Sequence, residues 1–216
     1  MVKRKQGQIP GRVNNMHIAD GVLPTSVAVA SYVASGAILA VSLKKISHED
    51  YPKIALMSSA FFVASLIHVP LGPSSVHLLL PGVVGVVLGG VSFVAITLGL
   101  ILQCVIFQFG GITALGANTL MMGIPALMAG WLFHYVSRRS SSLKTLVVTA
   151  GISGMLGVVV AGIILAIFLF LSGDVFYNVA KLVLIAHIPV AIIEGIVSAA
   201  MVSFLYKVKP EMIRHA

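Results

Sequence analysis

Charge is what this chain has least of. Only 9% of its 216 residues are Asp, Glu, Lys or Arg, against about 25% in a typical soluble domain, which excludes an ordinary water-facing globular surface. The one cysteine, Cys104, lies in an apolar stretch, so no disulfide can form within the chain. No GxxxxGK[ST] phosphate loop occurs, and any ATP-driven process must draw its energy from another subunit. There is no HExxH pair, as a zinc peptidase would need, and no ring of charged residues that would line a passive ion channel. The first fifteen residues, MVKRKQGQIPGRVNN, contain no apolar core of the kind that marks a signal peptide.

What remains is lipid-compatible. Hydrophobic residues make up 58% of the chain, and its mean hydropathy is +1.06, so it reads as an all-α polytopic membrane protein. The net charge of +8 sits in short basic clusters between apolar runs, the pattern of cytoplasmic membrane loops rather than of a nucleic-acid surface. Seven apolar runs, most near the ~20 residues that cross a bilayer, fall at about 24–43, 54–70, 77–94, 95–109, 115–136, 145–172 and 180–206. The third and fourth nearly merge, with room only for a short turn around Val91-Ser92-Phe93. The expected organisation is a polar basic extension over 1–15, disordered or not native, a transmembrane domain over 16–206 and a cytoplasmic tail over 207–216.

Lys44, Lys45 and Lys53 follow the first run, Arg138, Arg139 and Lys144 the fifth, and Lys207, Lys209 and Arg214 the seventh. Seven crossings put all three clusters on one side, which the positive-inside rule makes cytoplasmic. The N-terminus then lies outside the cell membrane and the C-terminus inside. Lys3, Arg4, Lys5 and Arg12 conflict with that orientation, and the conflict vanishes if the mature chain starts at Met16. Small-xxx-small pairs at Ala30/Ala34, Gly85/Gly89, Ala150/Gly154 and Gly157/Ala161 mark close helix packing.

The chemistry gathers around Met16-His17-Ile18-Ala19-Asp20-Gly21. If Met16 carried a free amine, that amine, the His17 amide nitrogen and the His17 imidazole could chelate one ion in a plane. Such a plane suits Ni²⁺ or Cu²⁺ and can serve Co²⁺. The competing reading makes His17 an interfacial polar residue at a helix entrance. His68 and His77 flank a loop whose Pro70, Gly72 and Pro73 oppose a continuous helix. Three imidazoles on one side could form a metal site, or could simply bond loop carbonyls.

Asp20 with Gly21 reads as a turn that folds the N-terminal segment back. Gln103, Gln108 and Asn118, around Gly110-Gly111, could hold a loop over a metal or tie helices together. His187 and Glu194 are seven apart and share a helix face, with structural pairing expected of a buried Glu and contact with a membrane partner as the alternative. His48, His134 and His215 read as ordinary surface residues.

Four stretches, MHIADG, HVPLGPSSVHLLLPGVVGVVLGG, LQCVIFQFGGITALGANTL and AHIPVAIIEG, together resemble the CbiM/NikM family, the substrate-binding membrane components of energy-coupling-factor transporters for cobalt and nickel. The resemblance runs from Met16 to about Tyr206. It implies that Met16, His17 and His77 supply the metal nitrogens, with His68 orienting His77 or narrowing the cavity; Asp20 and Asn118 are expected to support the site from beside it. It also implies a transmembrane coupling protein and ATPase subunits as partners, with room for a small accessory membrane subunit. The Co²⁺ or Ni²⁺ would be cargo, with no resident cofactor and no catalysis by the chain itself. An intramembrane metalloenzyme is the rival class, and it would want an acidic general base beside the histidines.

Overall fold

A computed structural model describes the backbone of residues 18–66, 68–71 and 74–214, and the side chains of 18–66 and 78–213. The chain is a helical bundle with one small hairpin. Its elements are α1 (Thr25–Leu43), α2 (Asp50–Ala64), β1 (His68–Leu71), β2 (Ser74–His77), α3 (Pro81–Leu88), a 3-10 turn at Gly89–Val91, α4 (Ser92–Phe107), α5 (Leu115–Ser137), α6 (Leu143–Leu171), a 3-10 turn at Asp174–Phe176, α7 (Tyr177–Val208) and α8 (Glu211–Arg214). α5 is the hub, packing against α1, α3, α4 and α6, while α6 and α7 form the most extensive helix pair.

Each of the seven apolar runs contains a helix, but they are not seven equal crossings. Five stretches among the described residues are long and apolar enough to span a bilayer, with Pro81–Phe107 counted as one. The second run ends early. α2 stops at Ala64 and the chain enters the β1–β2 hairpin, because Pro70 and Pro73 withhold the amides a helix needs. With 15 residues, α2 is about 22 Å long at the standard helical rise. The third run is shorter still: α3 has eight residues, about 12 Å, and is preceded by non-helical Leu78–Leu80. The expected turn between the third and fourth runs is the 3-10 turn at Gly89–Val91, two residues earlier than its sequence position suggested. Gly89, with φ +54°, lies against Gly130, whereas the Phe93 ring lies against Gly123. The path therefore turns back along α5.

Glycines set the helix separations, as lipid-embedded packing requires. A Cβ on Gly85 would come within 2.1 Å of the Ala126 carbonyl oxygen, and one on Gly82 within 2.4 Å of the Gly154 Cα. A Cβ on Gly154 would in turn meet the Ser198 hydroxyl at 2.4 Å. Three of the four small-residue pairs thus contribute to joints inside the bundle, while Ala30 and Ala34 are exposed on α1.

One polar expectation needs correction. His134, read as a surface residue, is buried against the Phe133 ring near the end of α5. Its position on the packed face of a long apolar helix, which local charge does not reveal, removes it from the surface. Within the tail expected over 207–216, α7 continues to Val208 and Ile213 on α8 packs with Val86, Phe133 and Leu146.

Gly85→Ala should lower the melting temperature of the purified protein, because a backbone carbonyl cannot yield to the new methyl. Overpacking of this kind costs about 1–3 kcal/mol. Gly36→Ala, which faces open space, should leave the melting temperature unchanged, and differential scanning fluorimetry of the two variants compares them directly.

Candidate metal-capture end

α5 opens on a loop near which the segment from Ile18 to Val22 is pinned. Residues 108–114 connect α4 to α5, with Gln108, Gly110 and Gly111 all at positive φ (57°, 74° and 77°). At Gly111 the left-handed backbone has a second reason to be glycine: a Cβ would fall 2.0 Å from the Asp20 carboxylate. The glycine pair lets the loop close over the turn at residues 20–22 without a side chain in the way.

Asp20 is the first anchor. Its Oδ1 accepts hydrogen bonds from the Thr113 amide at 2.8 Å and the Thr113 hydroxyl at 2.6 Å. The hydroxyl bond, with help from loop amides, holds the carboxyl below its usual range despite some opposing burial, so Asp20 is an anion at neutral pH. The turn expected from Asp20-Gly21 is present, with Gly21 at φ +80° and the Val22 amide donating to the Ala19 carbonyl.

Asn118 is the second anchor. Its Oδ1 accepts from the Ile18 amide at 2.9 Å, and its Nδ2 donates to the Ile18 carbonyl at 3.0 Å. One side-chain amide thereby satisfies both backbone groups of a buried residue, much as a neighbouring strand would. Ile18 and Asn118 are both nearly fully buried, where an unpaired amide would cost about 1–3 kcal/mol. Asn118 on α5 thus ties down the backbone of Ile18, which lies outside the helices, rather than the side chain of a neighbouring helix. The Tyr32 hydroxyl also reaches from α1 to the Ile112 carbonyl.

The candidate ligands divide by what the structure describes. Met16 and His17 lie outside the described residues, as do residues 1–15 and His215. His68 and His77 occupy partnered positions at the open end of the antiparallel hairpin. Among the described side chains, no three His, Cys, Asp or Glu residues converge on one point. Gln103, one turn before the end of α4, is 1% exposed and has neither amide atom paired. His187 and Glu194 do not pair with each other. The His187 Nδ1 lies 2.7 Å from the Val183 carbonyl, while the Glu194 Oε1 accepts from the Leu79 and Leu80 amides at 2.6 and 2.7 Å.

Sequence reading missed Thr113, Tyr32 and the backbone of Ile18. Only the Gly110-Gly111 pair signalled a close approach, and nothing local identified Asp20 as what approaches. Asn118→Leu should raise the hydrogen-exchange rate of the Ile18 amide at least tenfold by mass spectrometry. Asn118→Asp, which keeps an acceptor and loses the donor, should fall between the two.

A sequence model described as the cobalt uptake substrate-specific transmembrane region, CbiM, matches residues 17–212. A Haemophilus influenzae protein, provisionally described as a metal transport protein, is 39% identical across 92% of this chain and 97% of its own length. The fused nickel transport protein NikMN of Rhodobacter capsulatus is 27% identical across 92% of this chain and 64% of its own. A crystal structure of a transition metal transporter superposes with a TM-score of 0.75 at 28% identity, covering 92% of this chain and 96% of the other. With its helical bundle, membrane-length helices and a family match over nearly its whole length, the chain belongs to the CbiM family of cobalt-uptake membrane components.

Proposed function

We propose that this chain is the metal-capture subunit of an ATP-driven energy-coupling-factor importer of Co²⁺ or Ni²⁺. The observation that carries the reading is the Asn118 clamp on Ile18. Ile18 is covalently next to His17, so a bidentate hold on its backbone restricts where the His17 nitrogens can lie. Asp20, tied to Thr113 three residues further on, prevents the segment from lifting away. A chelate of this kind gains affinity from such preorganisation, since less freedom is lost when the ion binds.

The ligand set comprises the Met16 amine, the His17 amide nitrogen and imidazole, and His77. His68, partnered with His77 in the hairpin register, supports it from alongside. Four nitrogens in a square favour nickel over cobalt by intrinsic affinity, and copper over both, so selectivity between them rests on geometry and supply. Ligand deprotonation accompanies binding, which therefore strengthens as pH rises. The Met16 amine can donate only when it is free, so a chain starting at Met16 is the binding form.

Titration of purified protein with Ni²⁺ and Co²⁺ tests the ligand set. A form starting at Met16 should bind Ni²⁺ with the spectrum of a square-planar diamagnetic centre, and the 216-residue form far more weakly. His77→Ala should abolish high-affinity binding. His68→Ala should weaken it by about 10–100-fold, as is usual for a residue that orients a ligand. Equal and mild losses for the two histidines would assign the fourth nitrogen elsewhere.

The importer reading also needs the capture end outside the cell, the basic clusters after α1, α5 and α7 inside, and coupling and ATPase subunits as partners. In a background without Cys104, an impermeant maleimide added to whole cells should label Ser74→Cys and leave Ser140→Cys untouched.

A further inference from the structure

The capture end is tied to the bundle at one more place, deeper in the fold. Glu194, in the middle of α7, is fully buried, and its Oε1 accepts from two successive backbone amides, Leu79 at 2.6 Å and Leu80 at 2.7 Å. Those amides lie two and three residues after His77. Leu80 adopts a left-handed conformation, φ +50° and ψ +17°, immediately before α3. Successive amides around such a residue point into one concavity, where a single oxygen can accept from both. Pro81 follows and has no N–H to offer, so Glu194 takes up both donors available at this turn.

Interrupting a helix inside a bilayer leaves backbone donors that neither water nor lipid can satisfy. Glu194 satisfies them from α7, and close packing leaves it little freedom. Gly154 on α6 sits against the Glu194 carbonyl and the Ser198 hydroxyl, and Gly82 on α3 against Gly154. The carboxylate thus reaches the exit of the hairpin from the α6–α7 pair, on an element far in sequence from the capture end. Among the described residues its other oxygen, Oε2, is buried without a hydrogen bond, and the side chain's hydrogen bonds there are those from Leu79 and Leu80.

We infer that Glu194 is a positioning residue for metal capture: its carboxylate oxygen fixes the hairpin exit and thereby the place of His77, acting through reach rather than charge. The inference rests on His77 being a ligand, as proposed above. It assigns Glu194 no contact with the ion.

Three variants, each made and compared with wild type in the form that starts at Met16, separate reach from charge. Glu194→Gln keeps an oxygen at the same distance and should bind Ni²⁺ within about threefold of wild type. Glu194→Asp keeps the charge but is one methylene short, and should lose tenfold or more, in the range typical of residues that orient a ligand. Glu194→Leu should lose at least as much. Hydrogen exchange at Leu79 and Leu80 is read in the same samples without metal, and should accelerate in the Asp and Leu variants only. Wild-type affinity in Glu194→Leu, or equal losses in Gln and Asp, would overturn the inference. If wild type binds neither ion, the capture reading fails, while the metal-free exchange still reports whether Glu194 holds the hairpin exit. A variant that fails to fold is recognised by its circular dichroism, and the Gln–Asp comparison then decides.

Discussion

A backbone amide or carbonyl at membrane depth must find its partner within the protein, because lipid supplies none and each unpaired group costs several kcal/mol. Unbroken helices meet that demand by themselves, and most of this chain is helical. Two departures from helix, at Ile18 and at Leu78–Leu80, are each served by one buried polar side chain from a distant helix. Asn118 on α5 serves Ile18, and Glu194 on α7 serves Leu79 and Leu80. The pairings span 100 and 115 residues of sequence, so the local irregularities depend on the completed bundle.

The same constraint explains why so few side chains are polar and why so many are glycine. With no hydrophobic force between helices in lipid, contact area and close approach hold the bundle together. Gly82, Gly85, Gly130 and Gly154 allow backbone to touch backbone where α3, α5, α6 and α7 meet. α3 is too short to cross a membrane and is held by its neighbours rather than by its own length. That rigid seat is what makes a single carboxylate on α7 able to locate the chain that enters α3.

At the other anchor the arrangement is wetter. Asp20 lies outside the helices and holds Thr113 with a charge-assisted pair of bonds, stronger than neutral ones. Gly111 leaves room for the carboxylate. The buried clasp at Ile18, made by Asn118, and the exposed one at Asp20, made with Thr113, lie two residues apart and confine a short segment. A metal-capture role gives that confinement a purpose, since a chelating terminus binds well only if it is already in place.

Much of this was legible from composition and spacing. Apolar runs located α1, α5, α6 and α7 to within a few residues, because long lipid-facing helices need little beyond continuous hydrophobicity. Pro70, Gly72 and Pro73 opposed a helix through the connection between the second and third apolar runs, and Asp20-Gly21 gave its turn, since both are properties of the local backbone. The resemblance in MHIADG and the loop ending at His77 pointed to the family. Tertiary structure alone decided the rest. The shortness of α3, the burial of His134 and the seating of Ile213 follow from which faces meet. Nor could spacing name the partners of Asn118 and Glu194, for a hydrogen bond across a hundred residues depends on where folding brings its two ends, and no local pattern encodes that distance.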